Sequence, residues 1–252
     1  MEDWTFVSLG NEQNFGIRTT GLEEKAAACQ MLVCYARELK EHFVNYVEET
    51  VKLMVPLLKF YSMTSPCNGR RLLSLSPRVC ADPGSEYLQS TWSYICPNLL
   101  AAISVEIDVD VKIDLLRSLA RCIELLGVGC LNNEQMQELL QIMIKSFSGH
   151  FERQEERLAR RKEEDYDEGV EEKLEDQNDD DVYILERLGD IIHVLFATHK
   201  EGFIPVFNQL LPYASKLLSQ DHPWTDQQWG LCIFDDLIEY TGSASLSFQD
   251  TF

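Results

Sequence analysis

Along most of the chain, apolar residues recur every three to four positions, the spacing of a helix with one buried face. From Glu23 to Leu39 that face carries Ala27, Met31, Leu32, Tyr35 and Leu39. After a break at Lys40 to His42, a second helix is predicted from Phe43 to Phe60, with Val47, Val51, Met54, Val55 and Leu58 on one side. Two helices joined by a tight turn form an αα-hairpin, which cannot bury its stripe alone. The pattern returns at Glu86 to Ile103 (Leu88, Trp92, Ile95, Leu99, Ala102) and at Val111 to Leu126 (Ile113, Leu116, Leu119, Ala120, Ile123). Gly127 and Gly129 are the expected stop, and Asn133 the expected N-cap of a helix through Met136, Leu139, Leu140, Met143 and Phe147. Val182 to Ala197, Phe203 to Leu218 and Asp226 to Tyr240 follow. No stretch alternates convincingly at period two, so no sheet is expected.

The helices repeat at a recurring interval, broken once where the step from Leu125 to Leu195 is 70 residues and contains an acidic segment. Glu38-Leu39 and Glu124-Leu125 hold similar places 86 residues apart, twice 43, and Leu195 to Ile238 is 43 again. Two helices every 40 to 47 residues is the HEAT/armadillo pattern. Proline recurs inside second helices, at Pro56, Pro97 and Pro212, where it removes a backbone bond and bends the helix. The fold class expected is all-α, a HEAT-repeat α-solenoid of stacked antiparallel helix pairs. Its organisation reads as an N-terminal connector (1–22), repeats (23–150, irregular at 62–84), a charged helix extension and acidic insertion loop (151–181), then further repeats (182–252), the last truncated. Residues 62–84 hold three prolines and no helical stripe. The helix from Glu86 should therefore lack a partner, leaving Leu88, Ile95 or Leu99 exposed.

Charge narrows the function. A formal net charge of −20 over 252 residues argues against nucleic acid and favours basic partners. Twelve carboxylates crowd 163–181 (Glu163, Glu164, Asp165, Asp167, Glu168, Glu171, Glu172, Glu175, Asp176, Asp179, Asp180, Asp181) against Lys173. That composition predicts a segment disordered when free, either attracting basic ligands or serving only as a solvated loop. The preceding Arg153, Arg157, Arg160, Arg161 and Lys162 read as a solvated helix, with Glu156 and Arg160 an i,i+4 pair, and as a possible tether for the acidic loop.

No enzyme is indicated. G-x-S-x-G, G-x-x-x-x-G-K-[ST] and G-x-G-x-x-G are absent from the sequence. Asp176-x-Asn178-x-Asp180 imitates the start of a calcium loop, but its glycine position is Asp181 and its bidentate acid position Arg187. Cys29 and Cys34 lack zinc spacing, and the histidines are isolated. No metal or cofactor is expected. The eight cysteines, none in a C-x-x-C pair, read as reduced core thiols of a cytosolic or nuclear protein. Trp224 and Trp229 read as packing residues.

Several strings carry a resemblance. Phe15-Gly-Ile-Arg-Thr-Thr-Gly-Leu-Glu-Glu-Lys-Ala26, Cys29-Gln-Met-Leu-Val-Cys-Tyr-Ala36, Leu53-Met-Val-Pro-Leu-Leu-Lys-Phe-Tyr61, Gly129-Cys-Leu-Asn132, Glu164-Asp-Tyr-Asp167, Asp181-Val-Tyr-Ile-Leu185 and Gln228-Trp-Gly-Leu-Cys-Ile-Phe-Asp-Asp236 resemble, in order, the importin beta-3 type of the karyopherin-beta family. The likeness covers about a quarter of such a receptor and departs from it at 62–84 and 245–252. It implies a nuclear import receptor that shuttles between cytoplasm and nucleus. Such a receptor carries basic cargo such as ribosomal proteins and histones, and releases it to the GTPase Ran, whose main binding repeats lie N-terminal of this segment. It also implies a cargo face on second helices. The candidate cargo residues are Glu48, Glu49, Trp92, Glu134 and Glu138, with Glu163, Glu164, Asp165, Asp167, Glu168, Asp179, Asp180 and Asp181 of the acidic segment. Asp235, Asp236 and Glu239 are acidic but on a first helix. The rival is a HEAT scaffold for another complex, such as a phosphatase scaffold subunit.

Overall fold

The computed structural model describes residues 4–8, 14–56 and 86–251. The expected irregularity at 62–84 lies outside them. The chain divides into two compact units, Met1–Leu99 and Leu100–Phe252.

The first unit opens with a feature the periodicity did not predict. Strands β1 (Trp4–Ser8) and β2 (Asn14–Arg18) pair antiparallel, Trp4 opposite Arg18 and Ser8 opposite Asn14. Both are short and rich in aromatic and β-branched residues, a composition suited to a pleated ribbon. The sheet is confined to this hairpin among the described residues. Helix α1 (Thr19–Leu39) leads through a 3-10 turn, Lys40–Phe43, into α2 (Val44–Met54). Helix α2 buries Val47, Val51 and Met54 of the predicted stripe, and Val55 just beyond its end is buried too, while Leu58 lies outside the described residues. In α1 the buried face is rotated from the predicted one: Cys29, Val33 and Ala36 are inside, while Met31, Tyr35 and Leu39 are exposed. The smaller side chains allow close approach, and Cys29 Sγ lies 3.7 Å from Met54 Sδ.

Helix α3 (Glu86–Val105) crosses the division between units and contains Pro97. Its predicted stripe is covered. Leu88, Ile95 and Leu99 are buried rather than exposed, as are Cys96 and Ile103.

The second unit has two layers. Helices α4 (Val109–Leu126), α6 (Glu168–His199) and α8 (Trp224–Thr241) pack side by side in one. Helices α5 (Asn133–Arg160) and α7 (Ile204–Leu217) pack in the other, and each also contacts α6 or α8. First and second helices of successive repeats therefore form separate layers, as a HEAT solenoid requires. Asp108 caps α4 by accepting from Val111 N at 3.0 Å, and Gly127, at φ 73°, ends it. The cap of α5 is Asn132, one residue before the predicted Asn133. Asn132 Oδ1 accepts from Gln135 N, and Gln135 Oε1 from Asn132 N, a reciprocal box that Asn133 would not form. Between the layers lies a phenylalanine cluster: the rings of Phe196 and Phe203 are 4.8 Å apart, and those of Phe196 and Phe207 5.0 Å. The final 3-10 segment, Gly242–Thr251, adds Phe248 to this cluster, 6.1 Å from Phe207.

Candidate functional site

The acidic segment is not a loop. Its first four carboxylates form a short turn and the other eight lie in α6, continuous with the predicted helix from Val182. Composition argued for disorder, but three local features outweigh it. Asp167 caps the helix, accepting from Val170 N at 2.8 Å. Leu174 is buried on the same face as Asp181, Leu185 and Leu188, extending the core stripe towards the N-terminus. The basic end of α5 supplies charge partners across the hairpin.

Those partners are specific. Arg153 and Arg157 both bind Asp181: Arg153 Nε donates to Oδ1 at 2.7 Å and Arg157 Nη1 to Oδ2 at 2.5 Å. Arg160 donates two bonds to Asp165, at 2.8 and 2.9 Å, rather than pairing with Glu156 as helical spacing suggested. The chain reverses directly after Arg160, which brings Glu163 and Asp165 within its reach. Arg161 grips Glu171 through Nε and Nη2, and the Tyr166 hydroxyl donates to the same carboxylate at 2.8 Å. Hydrogen bonds from Arg160 hold the Asp165 carboxyl below its usual range. Those from Arg161, then Tyr166, do the same for Glu171.

Asp180 behaves oppositely. Its proton is held more tightly than usual, first by partial burial and then by the charges of Asp110, Asp181, Asp176 and Asp179. The remaining carboxylates form an exposed line. Glu168, Glu172, Glu175, Asp176 and Asp179 are all exposed and spaced i, i+4, i+7, i+8 and i+11 along one face of α6. Val109, the first residue of α4, lines a common cleft with Asp180 and Asp181.

Between α5, α6 and the start of α4 lies a cleft of about 780 Å³, lined in part by Val109, Arg157, Ala159, Val170, Leu174 and Asp180. Arg157 is 4% exposed, and its Nη2 is buried without an acceptor.

The other predicted residues divide. Trp92 is no surface group: at 6% exposed it belongs to the α3 stripe, which its spacing from Leu88 and Ile95 already placed inside. Asp181 is buried and neutralised, so it holds the hairpin rather than a ligand. Glu48 and Glu49 are exposed on α2, with Glu48 paired to Lys52. Glu134 and Glu138 are exposed near the start of α5, about 40 Å of helix away from the acidic turn. Asp236 pairs with His193 at 2.7 Å, while Asp235 and Glu239 are exposed. Trp224, expected to pack, is 73% exposed, whereas Trp229 sits against Gly189, where an added Cβ would lie 3.0 Å from Cε3. Of the cysteines, Cys29, Cys96 and Cys122 are buried, but Cys34 and Cys232 are exposed.

One polar network was missed. Asp226 Oδ2 accepts from His150 Nε2 and Gln154 Nε2, both at 3.0 Å, and Gln154 Oε1 accepts from His222 Nδ1 at 2.7 Å. Its members lie up to 76 residues apart, beyond any local pattern. Burial alone would raise the Asp226 pKa, but the His150 hydrogen bond and charge bring it below the usual range. Among the described residues, no cluster of His, Cys, Asp and Glu has the arrangement of a metal site, and no helix is long and apolar enough to cross a membrane.

Comparison with known proteins gives a consistent picture. A family model described as importin repeat 6 matches residues 111–220, from α4 to just beyond α7. Importin subunit beta-3 of Saccharomyces cerevisiae (strain ATCC 204508 / S288c) is 24% identical over 255 residues, covering 99% of this chain and 23% of that protein. The solved structure of Kap121p superposes with a TM-score of 0.81 at 21% identity, over 99% of this chain and 23% of that one. Kap121p bound to Pho4p gives 0.80 at 20%, over 99% and 22%. The chain spans less than a quarter of the length of these relatives.

Proposed function

We propose that this chain is one segment of a nuclear import receptor of the karyopherin-beta type, holding basic protein cargo without covalent chemistry, a reading supported by the importin-repeat match over residues 111–220 and the likeness to importin subunit beta-3. The observation that carries the reading is the line of exposed carboxylates on α6: Glu168, Glu172, Glu175, Asp176 and Asp179. A helix presents these charges at fixed spacing, so a basic ligand meets an ordered surface. Exposed charges act over about 10 Å at 0.1 M salt, which speeds encounter more than it tightens the final complex. Glu163 and Glu164 extend the field around the turn, and Glu134 and Glu138 offer a separate acidic spot on the second-helix layer. Kap121p has been solved with protein partners, Ulp1p, Nup53p and Pho4p among them, which supports protein cargo as the ligand class. Ran is the expected partner of a full-length receptor, and passage between cytoplasm and nucleus its setting.

The test is a lysine-rich histone-tail or ribosomal-protein peptide titrated against the intact chain and against E168Q/E172Q/E175Q/D176N/D179N, at low and high salt. The variant should associate more slowly at low salt, with a flatter dependence on ionic strength. Equal association rates and salt slopes would remove the α6 line from cargo binding.

A further inference from the structure

Helix α8 packs on α6 along one flank and bares the other. Helix α6 reaches it at Trp229, against Gly189, and at Asp236 and Tyr240, both against His193. About 160° around the helix from those contacts, at 3.6 residues per turn, runs a line of Trp224, Leu231 and Ile238. The three are 51–73% exposed and stand seven residues apart, the repeat of a helix–helix seam. One repeat back, 43 residues earlier, the places of Leu231 and Ile238 are held by Leu188 and Leu195, and both are buried. The α8 line is therefore spaced for another helix. A hollow of about 370 Å³ between Leu231, Cys232, Phe234, Asp235 and Ile238 gives an anchoring side chain a seat.

Charge selects the kind of helix. Asp235 and Glu239 stand exposed beside the line, and no lysine or arginine occurs from 217 to 252. A second copy would bring the same carboxylates, on a chain of formal charge −20. We propose that the face of Trp224, Leu231 and Ile238 docks a basic amphipathic helix of another protein, its apolar side chains on the line and its lysines or arginines reaching Asp235 and Glu239. Such a helix is read through apolar anchors at helical spacing, with the flanking charges setting orientation. The face shares no residue with the carboxylate line on α6, and the inference does not depend on the cargo reading.

The probe is a fluorescent eighteen-residue peptide with leucines on one face at heptad spacing, lysines flanking them and alanine elsewhere. It is titrated by anisotropy against the whole 252-residue chain at 0.3 M salt, where the field of the α6 line is short-ranged. L231S/I238S changes exposed side chains only, so its melting temperature should match the parent's while affinity falls at least about tenfold. D235N/E239Q should weaken binding severalfold, and the α6 glutamine/asparagine variant should bind as the parent does. A peptide of the same composition with its leucines scattered around the helix should bind at least about tenfold more weakly. Bound peptide should also slow alkylation of Cys232, beside the line, while Cys34 on α1, exposed as well, reacts as before. If L231S/I238S binds as the parent does, or the scattered peptide binds as tightly, the α8 face is not the seat. If glutamate in place of the peptide's lysines leaves binding unchanged, the occupant is not basic and the proposal is wrong. If the parent chain sediments as a dimer that L231S/I238S abolishes, the face belongs to a second copy. If no peptide binds the parent chain, the proposal falls and the α6 reading stands apart from it.

Discussion

Arg157 and Asp181 form an ion pair across the α5–α6 hairpin at 2.5 Å, with both side chains 4% exposed. Removing one partner strands the other in a dry environment, which costs about 3–5 kcal/mol, whereas replacing both with apolar groups of similar volume costs far less. Asp181→Ala is therefore expected to lower unfolding free energy by about that amount, softened because half-exposed Arg153 can turn to solvent. R157M/D181L should be more stable than D181A. Urea titration followed by circular dichroism measures both. A double variant no better than the single one would mean that the pair is not what holds the hairpin.

Asp226 gives the chain an acid-sensitive joint between α5 and α8. Its carboxyl binds a proton less readily in the folded protein than in the unfolded one, through the His150 hydrogen bond and charge acting against burial. The unfolded state thus takes up more protons as pH falls through the ordinary carboxylate range, and stability rises with pH across that window. The contribution is complete above the unfolded pKa and lost as pH falls through the folded one. Asp226→Asn should reduce stability at pH 7 and flatten the stability curve between about pH 5 and pH 2. Denaturant midpoints at five or six pH values decide it, and parallel curves for parent and variant would exclude Asp226 as the group responsible.

Helix α6 closes on α8 at a glycine. A Cβ on Gly189 would meet Trp229 Cε3 at 3.0 Å and Cζ3 at 3.2 Å. Alanine needs a small ring shift, but valine brings two methyl groups to the same place. Gly189→Val should destabilise by about 1–3 kcal/mol, the usual range for overpacking, and alter the near-ultraviolet signal of the tryptophans. Melting curves unchanged within a degree would show that the interface yields freely.

What the sequence disclosed depended on range. The stripes of α2, α4 and α5 were legible because burial there follows a local period, as at Leu116, Leu119 and Ile123 or Leu139, Leu140 and Phe147. Trp92 was legible too, since Leu88, Trp92 and Ile95 are one stripe; reading it as a cargo contact set aside its own spacing. The His150–Asp226 and Arg157–Asp181 pairs join residues 76 and 24 apart, and no local pattern encodes them. The helix through the acidic run was hidden by its charge, although Leu174, Asp181, Leu185 and Leu188 already mark one face at a helical period. In α1, two apolar faces were available, and the one with smaller side chains packs inward.

The last prediction concerns that acidic run. Glu168/Glu172, Glu171/Glu175, Glu172/Asp176, Glu175/Asp179 and Asp176/Asp180 are like-charge pairs four residues apart, each unfavourable to a helix. The helix forms because the Asp167 cap, the buried Leu174 and the Arg157–Asp181 pair offset them. Repulsion among the exposed carboxylates is strongly screened by salt, while the buried pair is screened much less. Added salt should therefore stabilise this half of α6, the reverse of what is expected for a segment held by surface ion pairs. Hydrogen exchange should show amides of residues 172–181 protected, and protection rising between about 0.01 and 0.3 M sodium chloride, a range over which the Debye length falls well below the helix diameter. Mild acid, which neutralises some of the line, should act in the same direction as salt. Arg160→Ala/Arg161→Ala frees the turn and should raise exchange at residues 163–171 while leaving that of residues 185–195 unchanged, since those amides sit in the core stripe. Protection that falls with salt would assign the stability of the run to its exposed pairs with Arg160 and Arg161. Exchange at unprotected rates throughout would mean that the carboxylates do not stand at fixed helical spacing, and the ordered acidic surface on which the proposed cargo binding rests would be lost.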